Sequence, residues 1–138
     1  MTATTNRRFP IRIGARSAPF LRIAFGVTPE TAWVEIVDGQ VIARFGRFGF
    51  KVPVTEIASW RIEGPWLWIT AIGVRMSVRH HDLSFAGSPR GGVRMDFARP
   101  VRKWIFDVPA LYVGTEDLEG FAAALSDLGI RGEDVRTA

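Results

Sequence analysis

The chain has 138 residues, a length typical of a single domain, and its 18 basic and 14 acidic side chains give a net charge of +4. Hydrophobic residues make up 47% of it and charged residues 23%, which excludes an intrinsically disordered or collagen-like chain. It has no cysteine, so disulfides, thiolate metal sites and thiol nucleophiles are also excluded.

Charge is unevenly distributed along the chain. Residues 1–114 carry 16 basic and 8 acidic groups, whereas 115–138 carry 2 basic and 6 acidic groups. A basic body attracts phosphate, acidic lipid or an acidic protein surface, although codon usage alone can also produce a chain in which 16 basic groups are arginines. No apolar run reaches the roughly 20 residues of a membrane-spanning helix, and we expect a cytoplasmic protein.

Residues 1–29 are predicted to form a partly irregular basic arm. Acidic residues are absent before Glu30, and no hydrophobic segment typical of a secretory signal follows the first arginines. The segment resembles an organellar transit peptide more than a secretory signal, but we interpret it as an arm of the mature protein. Its cations are Arg7, Arg8, Arg12 and Arg16.

Alternation of apolar and polar residues predicts short strands through the middle of the chain. The strongest prediction is a hairpin of residues 33–37 and 41–45 around Asp38-Gly39, a pair that favours the positive φ angles of a two-residue turn. A third strand spans 48–52 and ends at Pro53, and a fourth contains Ala58, Trp60 and Ile62. Later strands are predicted at 74–78, 83–85, 93–97 and 110–113, with 100–109 as a connection.

The periodicity becomes helical at Thr115. Thr115 is a good N-cap, and Gly129 suits the left-handed residue that ends a helix, which predicts a helix over 115–128. Residues 130–138 are predicted to form a polar tail. The predicted buried stripe is Leu118, Phe121, Ala122, Leu125 and Leu128.

About seven antiparallel strands followed by one helix predict a mainly β domain over residues 30–129. A single helix can hide the open end of a strongly bent sheet. The predicted architecture is therefore a small antiparallel β-barrel or orthogonal sandwich capped by the C-terminal helix.

Residues 30–129 resemble a bacterial pleckstrin-homology-like (PH-like) domain, in particular a family of small actinobacterial proteins with this layout. The resemblance rests on the strand order, on VPVTEIASW, on GPW…AIGVR…LSFAGSPRGGVRMDF and on the terminal TEDLEGFAAAL. It implies binding of phosphoinositides or peptides rather than catalysis. Phosphoinositide binders of this fold carry basic residues between the first two strands, where this chain has only Asp38-Gly39.

Two sets of side chains are candidates for a binding surface. Arg75, Arg79 and Arg94 fall opposite the core residues of strands that we expect to lie close together, with Arg90 in the adjoining loop. They form either an anion-binding patch or a solvated face paired with Glu63, Asp82 or Asp96. The tryptophans Trp66, Trp68 and Trp104, and also Trp33, either form an exposed partner surface or pack at the end of the barrel.

A catalytic or metal site has little support in the sequence. His80 and Asp82 can share a strand face, but a zinc site needs three or four ligands and the chain has no further histidine beyond His81. No nucleophile elbow or phosphate-binding P-loop motif is present. We therefore expect neither enzymatic activity, nor a metal, nor a cofactor.

The leading hypothesis is a non-enzymatic interaction module that binds another protein or a second copy of itself, with nucleic acid an improbable ligand. The alternative is peripheral attachment to anionic membrane through the basic arm, with Phe9, Phe20 or Phe25 as the apolar anchor. A third hypothesis is a small hydrolase that uses His80 and Asp82.

Overall fold

The structure is a computed structural model that describes residues 7–14, 18–64, 73–76, 83–86, 91–103 and 106–135, with the backbone alone at 73–76, 86, 103 and 106. Its strands form two sheets. The first is wholly antiparallel, in the order β1-β2-β3-β4, and consists of β1 (Arg7–Pro10), β2 (Ala32–Val37), β3 (Gln40–Phe45) and β4 (Phe48–Pro53). The second has the order β10-β5-β8-β9-β7-β6 and consists of β5 (Ile57–Glu63), β6 (Gly73–Met76), β7 (Leu83–Ala86), β8 (Gly92–Lys103), β9 (Phe106–Val113) and β10 (Arg131–Asp134).

Two α-helices complete the described fold. Helix α1 (Ala18–Phe25) precedes β2, and helix α2 (Leu118–Asp127) connects β9 to β10. Short 3-10 turns cover Pro29–Thr31 and Val54–Glu56. None of the described helices is long and apolar enough to cross a membrane.

The hairpin of β2 and β3 forms where the sequence predicts it. Asp38 and Gly39 have φ angles of 50° and 74°, the left-handed values that a two-residue turn requires. Val34 and Ile36 point inward from β2, and Val41 and Ala43 do so from β3, and all four are buried. The alternation in the sequence therefore fixes which face of this sheet meets the core.

The two sheets share one hydrophobic core. Phe45 of the first sheet stacks on Phe85 of the second with ring centroids 5.9 Å apart, and Phe50 stacks on Phe97 at 5.7 Å. These pairs join β3 and β4 to β7 and β8. The described residues form ten strands and two α-helices, so the predicted mainly β class is confirmed.

The closed barrel is not formed by the described residues. The sheets meet at one corner, where Ile11 and Thr115 make an isolated bridge, and no ladder continues from it within the described part of the chain. The flanking bonds are Arg12 N to Gly114 O at 2.8 Å and Glu116 N to Pro10 O at 2.9 Å. Closure of a barrel requires continuous pairing around the axis, which isolated bridging does not supply.

The all-antiparallel prediction is wrong, and the described chain has ten strands rather than about seven. β10 pairs parallel to β5, and β7 pairs parallel to β9. All four residues of β10 are exposed, so this strand lacks the apolar alternation by which strands are recognised in sequence. The polar tail predicted for 130–138 therefore includes a strand.

The connection predicted for 100–109 is instead taken up largely by strands. β8 continues through Pro100 to Lys103, and β9 begins at Phe106 and includes Pro109. Both prolines lie where the register between β8 and β9 shifts, between the pairs Asp96↔Ala110 and Val101↔Val108. Proline lacks an N–H, and an irregular stretch of ladder does not need one.

Helix α2 buries four of the five residues of its predicted apolar stripe, all but Leu128, and both of its ends differ from the prediction. Asp117 is the N-cap and its carboxylate accepts from Gly120 N at 2.9 Å, whereas Thr115 lies buried in the bridge to Ile11. Leu128 is 46% exposed, because the chain turns at Gly129 and sends Ile130 into the core in its place. The helix packs on β5, β8 and β10.

The N-terminal segment contains regular structure. β1 pairs with β2, and Phe9 is buried against Phe121 of α2 with ring centroids 5.2 Å apart. In α1, Leu21 alone among the helix residues is fully buried. The predicted arm of residues 1–29 is thus attached to the first sheet at residues 7–10 and contains a helix at 18–25.

Candidate functional site

Most of the Arg and Trp surface predicted from the sequence lies outside the described residues. This applies to Trp66, Trp68, Trp104, Arg79 and Arg90, as well as to His80 and Asp82. Within the described part of the chain, no group of three metal-ligating side chains comes together.

Arg75 and Arg94 are not neighbours, although the sequence predicts that their strands lie close together. Arg75 lies on β6 and Arg94 on β8, and β9 and β7 separate these strands in the sheet. At the usual strand spacing the two strands are roughly 14 Å apart. The separation results from the parallel pairing of β7 with β9, which alternation along the sequence does not encode.

Arg94 belongs to a network of balanced charges. Its Nε donates to Asp96 Oδ1 at 2.9 Å, and its side chain is 23% exposed. Arg61 approaches Asp96 at 3.6 Å and Glu63 at 3.7 Å. Two cations and two carboxylates therefore meet on β5 and β8, in a type of pairing that contributes under about 1 kcal/mol when partly exposed.

A second pairing attaches β8 to the turn before β5. Arg99 donates from Nε and Nη2 to the carboxylate of Glu56 at 3.3 and 3.1 Å. The hydrogen bonds, and then the negative charge of Glu56, raise the pKa of Arg99. This arginine is thus also occupied by an acidic neighbour.

A groove on the outer face of the first sheet differs from these sites. Its volume is about 430 Å³, within the range of small-ligand sites. We refer to it as the basic groove and define it by the wall residues Trp33, Arg44, Arg47, Phe48, Gly49 and Lys51. Strand pairing places Trp33, Arg44 and Gly49 in one row across β2, β3 and β4. Since Gly49 has no side chain, nothing projects from the sheet at this position of β4, and the groove is open there.

The cations of the basic groove have no acidic partner in the described part of the chain. Arg44 donates from Nε to the carbonyl of Gly46 at 3.1 Å, which holds its guanidinium beside the β3–β4 turn. No described carboxylate forms a salt bridge with Arg44, Arg47 or Lys51. Positive charge that the protein does not neutralise attracts anions.

Trp33 forms an aromatic wall of the groove. The guanidinium of Arg8 lies 4.1 Å from the centre of the Trp33 ring, in a cation–π arrangement, and also contacts Glu35 at 3.3 Å. Glu35 is the one acidic residue within β1–β4, and it is paired with Arg8 rather than with a cation of the groove.

The turn that carries Arg47 is fixed against the segment that follows α1. Arg47 N donates to Phe25 O at 3.0 Å, and Gly46 N donates to Thr31 O at 2.9 Å. Gly46 has a φ of 64°, and a Cβ there would collide with the carbonyl of Phe25. The Arg47 side chain lies against Gly26, where a Cβ would come within 3.2 Å of its Cγ.

Aromatic side chains connect the groove to helix α1. Phe48 contacts Phe25, and Phe25 contacts Phe20, each with ring centroids 5.9 Å apart. Phe20, Ile23 and Phe48 are 53%, 80% and 43% exposed. We refer to Phe20, Ile23, Phe25 and Phe48 as the apolar ridge.

A smaller groove of about 250 Å³ lies at the edge formed by β10 and β5. Its charges are mixed, since Glu133 lines it together with Arg61 and Arg131. Trp60 also lines it, and its Nε1 donates to Ile130 O at 3.1 Å, which fixes the indole under β10. Its charge does not single out one class of ligand.

The basic groove was not predicted from the sequence, although its signal is present there. Arg44 occupies an outward position of β3, and Gly49 and Lys51 occupy outward positions of β4. The register of the hairpin would have placed these residues side by side. The contribution of α1 has no such signal, because it depends on a contact between distant segments.

No protein-family model, characterised protein or solved structure matches this chain at a significant level.

Proposed function

We propose that this chain is a non-enzymatic binding module that holds an anionic group of its ligand in the basic groove. The observation that carries the proposal is the presence of Arg44, Arg47 and Lys51 in one groove without an acidic partner among the described residues. An arginine without an acidic partner keeps guanidinium donors for a phosphate or carboxylate, and in Arg44 these are the donors other than the Nε that bonds to Gly46 O. Trp33 and Phe48 add apolar surface on which the rest of a ligand can pack.

The charge of the surrounding sequence supports an anionic ligand. Residues 1–53 contain 8 basic and 3 acidic side chains, a net charge of +5. The acidic residues are Glu30, Glu35 and Asp38, of which Glu35 is paired with Arg8. An excess of one sign along a cleft raises the local concentration of the opposite charge.

The proposal retains a PH-like architecture as its structural framework. A four-stranded antiparallel sheet, a second sheet and a C-terminal helix packed on that second sheet support it. The parallel pairings of β7 and β10 differ from the antiparallel barrel that the resemblance implies. The basic groove lies at the β3–β4 turn, away from the Asp38-Gly39 turn.

The proposed function is tested by titrating the protein with inorganic triphosphate and following backbone and side-chain NMR signals. We expect shifts at Arg44, Arg47, Lys51 and the Trp33 indole, and their loss at higher salt because screening weakens charge attraction. The triple variant R44Q/R47Q/K51Q should weaken binding by about tenfold or more. The control R99Q/R102Q/R131Q removes the same number of exposed cations from the second sheet and should bind like the wild type.

A substitution that keeps the charge provides an independent test. A Cβ at Gly49 would meet only Ala43 O, at an ordinary 3.5 Å, so Gly49→Val should fold and place its side chain in the groove. We expect it to block triphosphate binding. Triphosphate binding by both Gly49→Val and the triple variant that equals binding by the wild type would show that triphosphate is held elsewhere, and the proposed function would then be wrong.

A further inference from the structure

Helix α1 exposes apolar residues on the face that is usually polar. Leu21 is its buried anchor, whereas Phe20, Ile23 and Ala24, spaced three and four residues apart, face outward. A surface helix of a globular protein normally has charged or polar residues at such positions. Exposed apolar patches of this kind mark interaction sites with proteins or membranes.

The apolar ridge and the basic groove form one continuous surface. Phe48 belongs to both, because it lines the groove and contacts Phe25 of the ridge. Arg47 also reaches both, since it lines the groove and lies against Gly26 directly after α1. The hydrogen bond from Arg47 N to Phe25 O holds the turn and the helix in a fixed relation.

Cations border the ridge, whereas acidic residues are few. Arg22 lies on α1 itself, and Arg44, Arg47 and Lys51 lie on the adjacent hairpin. Helix α1 and the segment from Gln40 to Pro53 contain no acidic residue, and the acidic residue of the connecting 3-10 turn is Glu30. The surface thus combines exposed apolar side chains with a surplus of positive charge.

We propose that this surface docks on an anionic lipid bilayer, with Phe20, Ile23 and Phe48 entering the headgroup boundary and the four cations contacting lipid phosphates. This inference rests on the proposed function, to which it adds the source of the anionic group. A bilayer supplies apolar interior and negative charge together without a matched protein shape. Two copies of the chain meeting through this face would instead bring like charges against each other.

The docking surface overlaps only in part with the basic arm of residues 1–29 to which the sequence assigned membrane attachment. Phe9 is buried against α2 and is not available to enter a membrane, and Arg8 is paired with Glu35 and stacked on Trp33. Phe20 and Phe25 do belong to the surface, as the sequence-based hypothesis allowed.

The proposal is tested by co-sedimentation of the protein with phosphatidylcholine vesicles that contain or lack phosphatidylserine. We expect binding only to the vesicles with phosphatidylserine, and weaker binding as salt increases. Each cation near an anionic surface contributes about fivefold to the partition coefficient, so R44Q/R47Q/K51Q should lower it by roughly a hundredfold. Phe20→Ser with Ile23→Ser should lower it by about tenfold or more.

Matched variants test whether vesicle binding depends on the apolar ridge itself or on exposed apolar side chains in general. Leu128→Ser removes an exposed apolar side chain of comparable exposure at the end of α2 and should leave vesicle binding unchanged. The Phe20 and Ile23 changes lie on the surface, so the double variant should keep its thermal unfolding midpoint and its triphosphate shifts. Ile23→Ser alone, at the most exposed position, provides a milder second variant.

Each remaining outcome decides between the two proposals. Triphosphate binding without vesicle binding overturns membrane docking and leaves the proposed function in place, whereas absence of both overturns both. Vesicle binding that the Phe20 and Ile23 changes leave unaltered overturns the ridge as the anchor. A dimer in sedimentation equilibrium that these changes abolish, without vesicle binding, would identify a second copy as the occupant instead.

Discussion

Thr115 lies buried at the corner between the two sheets, and its hydroxyl has no hydrogen-bond partner among the described residues. Its backbone forms the bridge to Ile11, which holds the segment after β1 against the segment after β9. Burying a hydroxyl without a partner is unfavourable by about 1 to 3 kcal/mol in proteins. The Thr115 hydroxyl therefore lowers the stability of the fold, whereas the Thr115 backbone raises it.

Thr115→Val should raise the free energy of unfolding by about 1 kcal/mol, because it removes the unpaired hydroxyl and keeps the shape. Thr115→Ser is the control, since it keeps the hydroxyl and loses a buried methyl group, and it should lower the free energy by about 1 kcal/mol. Urea unfolding followed by circular dichroism measures both. A loss of stability in the valine variant would mean that the hydroxyl has a partner in solution.

At the scale of elements, helix α2 depends on how its first turn is capped. The Asp117 carboxylate accepts from Gly120 N, and a Cβ at Gly120 would collide with that carboxylate. The helix ends with the hydrogen bonds from Gly129 N to Ser126 O and from Ile130 N to Leu125 O, which turn the chain back toward β5. The turn at the C-terminal end of α2 thus determines where β10 begins.

Asp117→Ala should lower the free energy of unfolding by about 1 kcal/mol, because the first turn of α2 loses a hydrogen-bond acceptor. Asp117→Asn keeps an acceptor and loses only the charge at the helix N-terminus, so we expect a smaller loss of about 0.3 to 0.5 kcal/mol. Denaturant midpoints of the two variants make the comparison. Equal losses would show that charge, rather than the hydrogen bond, stabilises the cap.

At the scale of the whole molecule, stacked phenylalanines hold the two sheets together. Phe45 and Phe48 are register partners in the β3–β4 hairpin, but Phe45 is fully buried on Phe85 whereas Phe48 is largely exposed on the apolar ridge. Neighbouring residues of one type thus divide between core and surface. The difference follows from the position of Phe48 beyond the edge of the core, against α1.

Phe45→Ala should lower the free energy of unfolding by about 3 to 5 kcal/mol, the usual loss for a buried phenylalanine. Phe48→Ala should lower it by about 1 kcal/mol or less, since surface substitutions have small effects, while weakening vesicle binding. Thermal or denaturant unfolding measures the free energy of unfolding of both variants. Phe45→Leu replaces Phe45→Ala if the alanine variant does not fold. Similar losses at the two positions would contradict the division between core and ridge.

Elements whose evidence lies within a few neighbouring residues could be predicted from the amino-acid sequence. Alternation and Asp38-Gly39 were enough for the β2–β3 hairpin, and helical spacing was enough for the buried stripe of α2, because a period and a turn are local properties. The end of α2 shows where this reasoning fails, since spacing alone placed Leu128 inside and tertiary packing placed Ile130 there.

Strand pairing and the grouping of side chains into a surface depend on long-range contacts and became visible in the folded structure alone. β10 is a strand because the edge of β5 offers it hydrogen bonds, and the separation of Arg75 from Arg94 follows from the parallel pairing of β7 with β9. The basic groove needs the hairpin register, and its continuation into the ridge needs α1 to dock on the β3–β4 turn. Such contacts join segments far apart in the chain, and local periodicity carries no information about which distant partner a segment meets.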